Sequence, residues 1–221
     1  MRRHLIQLIK QNKSFYIGYG LFLSSGLLVL GLVGKDQLFL QMNNWQLSFA
    51  DALAPWLTHL GDGLFALMFL LVFALFNYRL ALTALLCFVS VLLITQLGKQ
   101  FIFDDALRPF AYFEAKGQAI RTIAGVKVHA HNSFPSGHSA SVFALFSFFA
   151  LRLSNKQWGL PLLLAAVLIA YTRVYIAQHF FGDVLAGSLV GVWAVLVITA
   201  LLDAFYERHP AAWHRKGLLV K

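Results

Sequence analysis

Long apolar runs separated by short polar segments dominate the chain. The runs cover residues 15–33, 63–76, 80–97, 139–153, 159–175 and 184–202. A transmembrane helix needs about 20 mostly apolar residues, and the two shorter runs, 63–76 and 139–153, approach that length by including polar residues at their ends, which a bundle tolerates. The pattern predicts an all-α polytopic membrane protein with six transmembrane helices in a bundle, formed by residues 1–221 as one domain.

The two long connections between these runs differ in character. Residues 37–61 mix leucine, phenylalanine and tryptophan with polar residues, which is typical of an interfacial helix rather than a span. Residues 99–135 form the most polar segment of the interior of the chain, so a chemical site is expected there.

Composition and charge restrict the class and the partners. A chain with 59% hydrophobic and 12% charged residues is too apolar for one soluble domain. With the N-terminus inside and six spans, eleven of the 18 Lys and Arg residues fall on the cytoplasmic side, which predicts cytoplasmic termini in a cell (inner) membrane. The net charge of +9 then reflects topology and anionic headgroups, so the lipid bilayer, and not nucleic acid, is the expected partner. The oligomeric state stays open.

Three polar stretches interrupt the apolar pattern at the predicted outer face. The first, "KQFIFDDALRPF", contains Lys99 and Arg108, although a lysine at the end of a span often only reaches the headgroups. The second, "NSFPSGHSAS", predicts a helix start at Ser136 and Gly137, whose free N–H groups favour an anion, with His138 on the first turn. An ordinary serine-capped helix with an interfacial histidine is the alternative.

The third stretch, "YTRVYIAQHFFGDVLAG", places Arg173, His179 and Asp183 within or beside apolar runs, where ionisable residues are usually functional. If the segment from His179 is helical, His179 and Asp183 share a face. The carboxylate would then accept a hydrogen bond from one imidazole nitrogen and leave the other as a nucleophile. A structural histidine followed by a capping aspartate is the alternative.

Together the stretches offer three cations, an anion-binding helix start, two histidines and one carboxylate on one side of the membrane. This set is typical of phosphoryl transfer through a phosphohistidine. Lys99, Arg108 and Arg173 would neutralise the phosphoryl oxygens. His179 would attack phosphorus, and His138 would protonate the leaving oxygen and then activate water. One carboxylate among several cations is a poor site for a divalent ion, so neither a metal nor another cofactor is expected.

These residues resemble the type 2 phosphatidic acid phosphatases, a family that shares its site with vanadium haloperoxidases and glucose-6-phosphatase. The family pattern is a lysine and Arg-Pro separated by six residues, then Pro-Ser-Gly-His, then Ser-Arg, five residues, His, three residues and Asp. Residues 135–138 match the second block in full, and Thr172 replaces the serine of the third. In the first block, eight residues separate Lys99 from Arg108.

The resemblance implies a six-span, metal-independent bacterial lipid phosphatase whose nucleophile is His179 and whose acid/base is His138. It also implies a site that faces the periplasm or the exterior. Undecaprenyl diphosphate, phosphatidylglycerol phosphate, phosphatidic acid and the phosphates of lipid A all suit a site at the headgroup level. Loop residues Lys116, Arg121, Lys127, His129 and His131 either bind a second phosphate or are solvated near anionic headgroups.

Two alternative functions remain. A lipid-to-lipid phosphotransferase would use the same His179 intermediate. A noncatalytic lipid transporter is disfavoured because transporters keep their polar residues near the midplane of the bilayer, whereas the polar residues of this chain gather at span ends.

Overall fold

The computed structural model describes residues 1–45 and 47–220, which form ten α-helices, three short 3₁₀ helices and no strand. The α-helices are α1 (Arg2–Gln11), α2 (Lys13–Val33), α3 (Lys35–Asn43), α4 (Ser48–Leu57), α5 (Gly63–Phe76), α6 (Tyr78–Phe101), α7 (Pro109–Glu114), α8 (Gly137–Arg152), α9 (Gly159–Tyr175) and α10 (Phe181–Arg208). The 3₁₀ helices are Thr58–Gly61, Lys156–Trp158 and Ala212–Arg215. The prediction of an all-α fold is confirmed.

The predicted apolar runs fall on α2, α5, α6, α8, α9 and α10. Among the described residues, four helical segments are long and apolar enough to cross a membrane, namely Lys13–Val33, Tyr78–Phe101, Lys156–Tyr175 and Phe181–Arg208. The pair Ser48–Gly61 and Gly63–Phe76, bent by 53°, would make a fifth. Leucines such as Leu64, Leu92 and Leu168 are exposed on the outside of the bundle, as expected where lipid is the solvent. The chain is therefore a multi-pass membrane protein, and the count of six spans stays a prediction, because α8 has only 16 residues.

The segment predicted to be interfacial forms α3, α4 and the 3₁₀ helix Thr58–Gly61 rather than one helix. The amide of Asn43 at the end of α3 donates to the carbonyl oxygen of Tyr175 at the end of α9, at 3.1 Å. This segment therefore packs against the end of the bundle that carries the polar stretches.

Helix α8 lies at the centre of the bundle, where it packs against α6, α9 and α10. Gly187 and Gly191 of α10 face α8 four residues apart, and a Cβ at either position would collide with the backbone oxygen of Ser136 or Ala140. Glycines at this spacing let two helices approach to backbone contact. The close approach brings the N-terminus of α8 beside the N-terminus of α10.

An ion-pair cluster joins three helices at the opposite end of the bundle. Asp203 of α10 accepts hydrogen bonds from Arg79 of α6 at 2.9 Å and from Arg152 of α8 at 3.2 Å. The cluster fixes the far ends of these helices relative to one another.

Candidate active site

The three polar stretches converge at one end of the bundle. The backbone N–H of Ser136 donates to the carbonyl oxygen of Asp183 at 3.0 Å, which joins the second stretch to the third. Nη1 of Arg108 donates to Oε1 of Gln178 at 3.0 Å, which joins the first stretch to the residue before His179. The packing thus brings together residues that are far apart in the sequence.

His179 lies in the turn between α9 and α10. Ala177 has a positive φ of 57°, and the N–H groups of Gln178 and His179 both return to the carbonyl oxygen of Arg173, at 2.9 and 3.1 Å. The side chain of His179 is 1% exposed. Burial, partly opposed by the nearby Asp183 carboxylate, lowers the pKa of His179 to about 3. The imidazole is therefore neutral at neutral pH, as a nucleophile must be.

His179 and Asp183 do not lie on the same face of one helix, which is the arrangement considered from the sequence. Helix α10 begins at Phe181, so His179 precedes it and only Asp183 is helical. Nδ1 of His179 is 3.5 Å from Oδ2 of Asp183, longer than a good hydrogen bond. Within residues 1–45 and 47–220, Nδ1 has no hydrogen-bond partner.

The carboxylate of Asp183 is held by other donors. Oδ2 accepts the hydroxyl of Ser133 at 2.5 Å and the N–H of Phe180 at 2.9 Å. Asp183 thus caps the first turn of α10 and also lies beside His179.

The three predicted phosphate-binding cations surround the histidines. Lys99 lines one cavity with Arg108 and His138, and its Nζ is 3.9 Å from the position of a Cβ at Gly137. Nη1 of Arg173 donates to Oγ1 of Thr58 at 2.7 Å, while its Nε is a buried donor without a partner among the described residues. The eight-residue spacing after Lys99 therefore does not separate it from Arg108.

Arg108 is oriented by one backbone acceptor and one side-chain acceptor. Its Nε donates to the carbonyl oxygen of His131 at 2.9 Å, and its Nη1 contacts Gln178. Burial, partly offset by Asp183, lowers the pKa of the guanidinium. A cation held out of water in this way favours binding of an anion.

The start of α8 combines a serine cap with free N–H groups. Oγ of Ser136 accepts the N–H of Ser139 at 3.3 Å, which is the capping geometry considered from the sequence. The N–H groups of Gly137 and His138 lie in the first turn, where a helix supplies no intrahelical acceptor. An anion at this position would meet N–H groups and the positive end of the helix dipole.

The sequence analysis missed several residues of the site. Asp62 is the most prominent, because its Oδ1 is 2.6 Å from Nε2 of His138. Thr58, Ser133 and Gln178 contact Arg173, Asp183 and Arg108 respectively. The one signal in the sequence is that Asp62 precedes the apolar run 63–76, where an aspartate usually caps a helix.

Two of the loop cations are already paired. Lys116 binds Asp36 at 2.6 Å, and Arg121 binds Asp51 of the interfacial segment. Lys127, His129 and His131 are exposed. In the part of the chain that the structure describes, no group of three or more His, Cys, Asp or Glu side chains is arranged to hold a metal ion.

A cavity of about 550 Å³ opens at the site. Asp62, Lys99, Arg108 and His138 form its polar end. Its walls continue between α5 and α6 and are apolar, formed by residues that include Leu67, Leu70, Leu85, Phe88 and Leu92. The cavity therefore joins a cationic end to an apolar groove.

Comparisons with known proteins agree with this architecture. A family model described as PAP2 superfamily matches residues 74–207. A Rhizobium johnstonii protein named lipid A 1-phosphatase is 33% identical over 87 residues, which are 38% of this chain and 35% of that protein. An Escherichia coli protein named lipid A 1-diphosphate synthase is 27% identical over 137 residues, 59% of this chain and 57% of that protein. The chain thus spans about a third to just over half of the length of these relatives.

The fold is also shared with a solved structure. The crystal structure of a transmembrane PAP2 type phosphatidylglycerolphosphate phosphatase from Bacillus subtilis superimposes with a TM-score of 0.62 at 20% identity, over 89% of this chain and 98% of that one. At this identity the likeness concerns the fold alone.

Proposed function

The chain belongs to the PAP2 superfamily, and from that premise we propose that it is an integral membrane lipid phosphatase. It hydrolyses the phosphate or diphosphate headgroup of a lipid, without a metal ion, through a phosphohistidine at His179. The substrate class includes undecaprenyl diphosphate, phosphatidylglycerol phosphate, phosphatidic acid and lipid A. The site faces the periplasm or the exterior of a cell (inner) membrane, and both termini are cytoplasmic.

The observation that carries this proposal is the two-part cavity. Its polar end contains Lys99, Arg108 and His138, and its walls between α5 and α6 are apolar. A phosphate bound at the polar end would leave its lipid chains along the apolar walls, in contact with the bilayer. A soluble phosphate ester would gain nothing from such a groove.

In the first step, Nε2 of His179 attacks phosphorus while Nδ1 faces Asp183. The P–N bond forms as the bond from phosphorus to the lipid oxygen breaks, and His138 gives its proton to that oxygen. Lys99, Arg108 and Arg173 stabilise the charge on the nonbridging oxygens, which is spread over the phosphoryl group in the transition state.

In the second step, water replaces the lipid. His138, now neutral, takes a proton from water as the water oxygen attacks phosphorus and the P–N bond breaks. Inorganic phosphate leaves, His179 is neutral again and His138 has recovered its proton. The cycle is balanced and consumes one water for each phosphate released.

A lipid-to-lipid phosphotransferase is the second candidate. The Escherichia coli relative named lipid A 1-diphosphate synthase aligns with 59% of this chain, more than the Rhizobium johnstonii relative does. In that reaction the second step would use the phosphate of another lipid in place of water, so the same residues serve both outcomes.

The test is phosphate release by the purified protein, residues 1–221, in detergent with EDTA, across the four lipid phosphates named above. His179→Ala is the key variant. His209→Ala is its matched control, because His209 is exposed at the C-terminal end of α10, whereas the candidate site lies at the N-terminal end of that helix. Release that is lost in His179→Ala and kept in His209→Ala supports the phosphatase. Full release by His179→Ala refutes the mechanism, and label that moves from one lipid to another without release supports the transferase.

A further inference from the structure

Asp62 bridges two histidines at the edge of the site. Its Oδ1 lies 2.6 Å from Nε2 of His138, and its Oδ2 lies 2.7 Å from Nδ1 of His59. Asp62 precedes α5 directly, in extended conformation, so its carboxylate points away from the helix end toward α8. Both carboxylate oxygens are thereby fixed, one by an exposed histidine and one by the predicted acid/base.

The backbone around Asp62 is docked against the site. A Cβ at Gly61 would lie 3.1 Å from the carbonyl oxygen of His138 and 2.9 Å from Cγ2 of Val142, so a glycine permits this approach. Thr58 at the start of the same 3₁₀ helix accepts a hydrogen bond from Arg173. The segment 58–62 therefore contacts two of the predicted site residues and cannot be a detached interfacial cover.

The charges facing His138 explain why a carboxylate is needed there. Arg173 on α9 and Lys99 on α6 both act on the His138 imidazole with positive charge, and Asp62 acts on it with negative charge. A general acid must hold a proton until the leaving oxygen takes it. Burial and two neighbouring cations oppose that protonated form, and the adjacent carboxylate counteracts them in part.

We propose that Asp62 is the positioning residue for His138. It accepts the Nε2 proton, fixes the plane of the ring, stabilises the imidazolium and leaves Nδ1 to give a proton to the leaving oxygen. Asp62 stays ionised throughout, because the proton moves only between Nδ1 and the lipid oxygen or water. His59 holds the second carboxylate oxygen and so limits rotation of the Asp62 side chain. This inference rests on the proposed phosphatase function.

The test compares Asp62→Asn with the wild-type protein on two probes. Phosphatidic acid has an alkoxide leaving group, which must be protonated as it departs, whereas the leaving group of p-nitrophenyl phosphate departs without a proton. We expect kcat/KM on phosphatidic acid to fall about 10- to 100-fold, which is less than the roughly 10²- to 10⁴-fold worth of general acid catalysis because His138 itself remains. We expect kcat/KM on p-nitrophenyl phosphate to fall much less. Asp36→Asn is the matched control, since Asp36 in the first turn of α3 is paired with Lys116.

The pH dependence gives a second readout that a merely structural role would not move. His138 must be protonated for the first step, so kcat/KM falls as pH rises. Loss of the neighbouring negative charge should move that fall to lower pH by about one unit. A thermal unfolding scan of Asp62→Asn in detergent shows whether the variant is folded.

The outcomes separate the two proposals. An active wild-type protein with equal losses on both probes, an unshifted pH profile, or full activity in Asp62→Asn overturns the role of Asp62 and leaves the phosphatase intact. No phosphate release by the wild-type protein from p-nitrophenyl phosphate or from any of the four lipid phosphates overturns both proposals. A folded Asp62→Asn variant with selective loss on phosphatidic acid supports the positioning role.

Discussion

Replacement of Asp183 by asparagine separates the two roles that its geometry allows. Asparagine has nearly the same shape and can still accept the N–H of Phe180, so the first turn of α10 keeps its cap. What the variant loses is the negative charge 3.5 Å from Nδ1 of His179. Any large effect on turnover therefore comes from the charge and not from unfolding of the helix end.

The size of the effect follows from that distance. When the P–N bond forms, positive charge develops on the His179 ring. At 3.5 Å and an effective dielectric constant of about 20, two unit charges interact by about 5 kcal/mol, and each 1.4 kcal/mol or so is a factor of ten in rate. Lys99 and Arg108 already offset part of the Asp183 charge. We therefore expect kcat to fall about 10²- to 10³-fold, a smaller loss than for the Asp of a tightly bonded triad.

The assay is the rate of phosphate release at saturating lipid in detergent, with KM determined alongside. KM should change little, because the ring charge appears only as the reaction proceeds. Ser133→Ala is the control: it removes a donor to Asp183 but keeps the charge, and its kcat should stay within about tenfold of wild type, near the worth of one hydrogen bond. If Asp183→Asn kept kcat within tenfold while His179→Ala was inactive, Asp183 would be only a helix cap.

Three further results are expected. Lys99→Met should lower kcat/KM for phosphate release about 100-fold, as for the loss of one charge-stabilising donor; a loss much smaller than that of Arg108→Gln would make Lys99 a headgroup anchor. Burial lowers the pKa of His179 from 6.5 to about 3. As pH falls below 6.5, the unfolded chain therefore binds a proton at this histidine while the folded chain does not. The free energy of unfolding should then fall by up to roughly 1.4 kcal/mol for each unit that pH is lowered, which thermal scans would detect. His179→Gln should flatten this decline. An unchanged slope in that variant would contradict the burial of a neutral ring. Asp203→Asn should destabilise the protein by about 2 kcal/mol, the worth of a hydrogen bond to a charged group, and leave kcat unchanged; a selective loss of kcat would show that the ion-pair cluster communicates with the site.

The sequence predicted those features that depend on neighbours along the chain. Apolar runs are long enough to specify helices by themselves, so α5 and α9 match their predicted bounds at Gly63–Phe76 and Gly159–Tyr175. The helix start at Ser136 and Gly137 is likewise a local feature. The position of His179 was not predictable in this way, because a positive φ at Ala177 ends α9 and places the histidine in a turn.

Residues that join the site only through packing left no comparable signal. Asp62 meets His138 because Gly61 lets the 3₁₀ segment approach the backbone of α8. Ser133 meets Asp183 across 50 residues of sequence, and Thr58 meets Arg173 across 115. Such contacts depend on how the helices pack against one another. The spacing of residues along the sequence does not reveal that packing.

The helix crossing also explains why the predicted site needs an anion. Gly187 and Gly191 draw α10 onto α8 at backbone distance, which fixes the two helix starts side by side. The packing of the bundle also brings Lys99 and Arg108 to one cavity end and Arg173 close enough to Arg108 that these cations repel one another, and all are partly removed from water. A phosphate dianion would satisfy the spare donors and relieve this repulsion at once. In the proposed function, the free energy that the bundle loses by collecting like charges would become affinity for a phosphate, and most of all for one whose charge spreads over three oxygens during transfer.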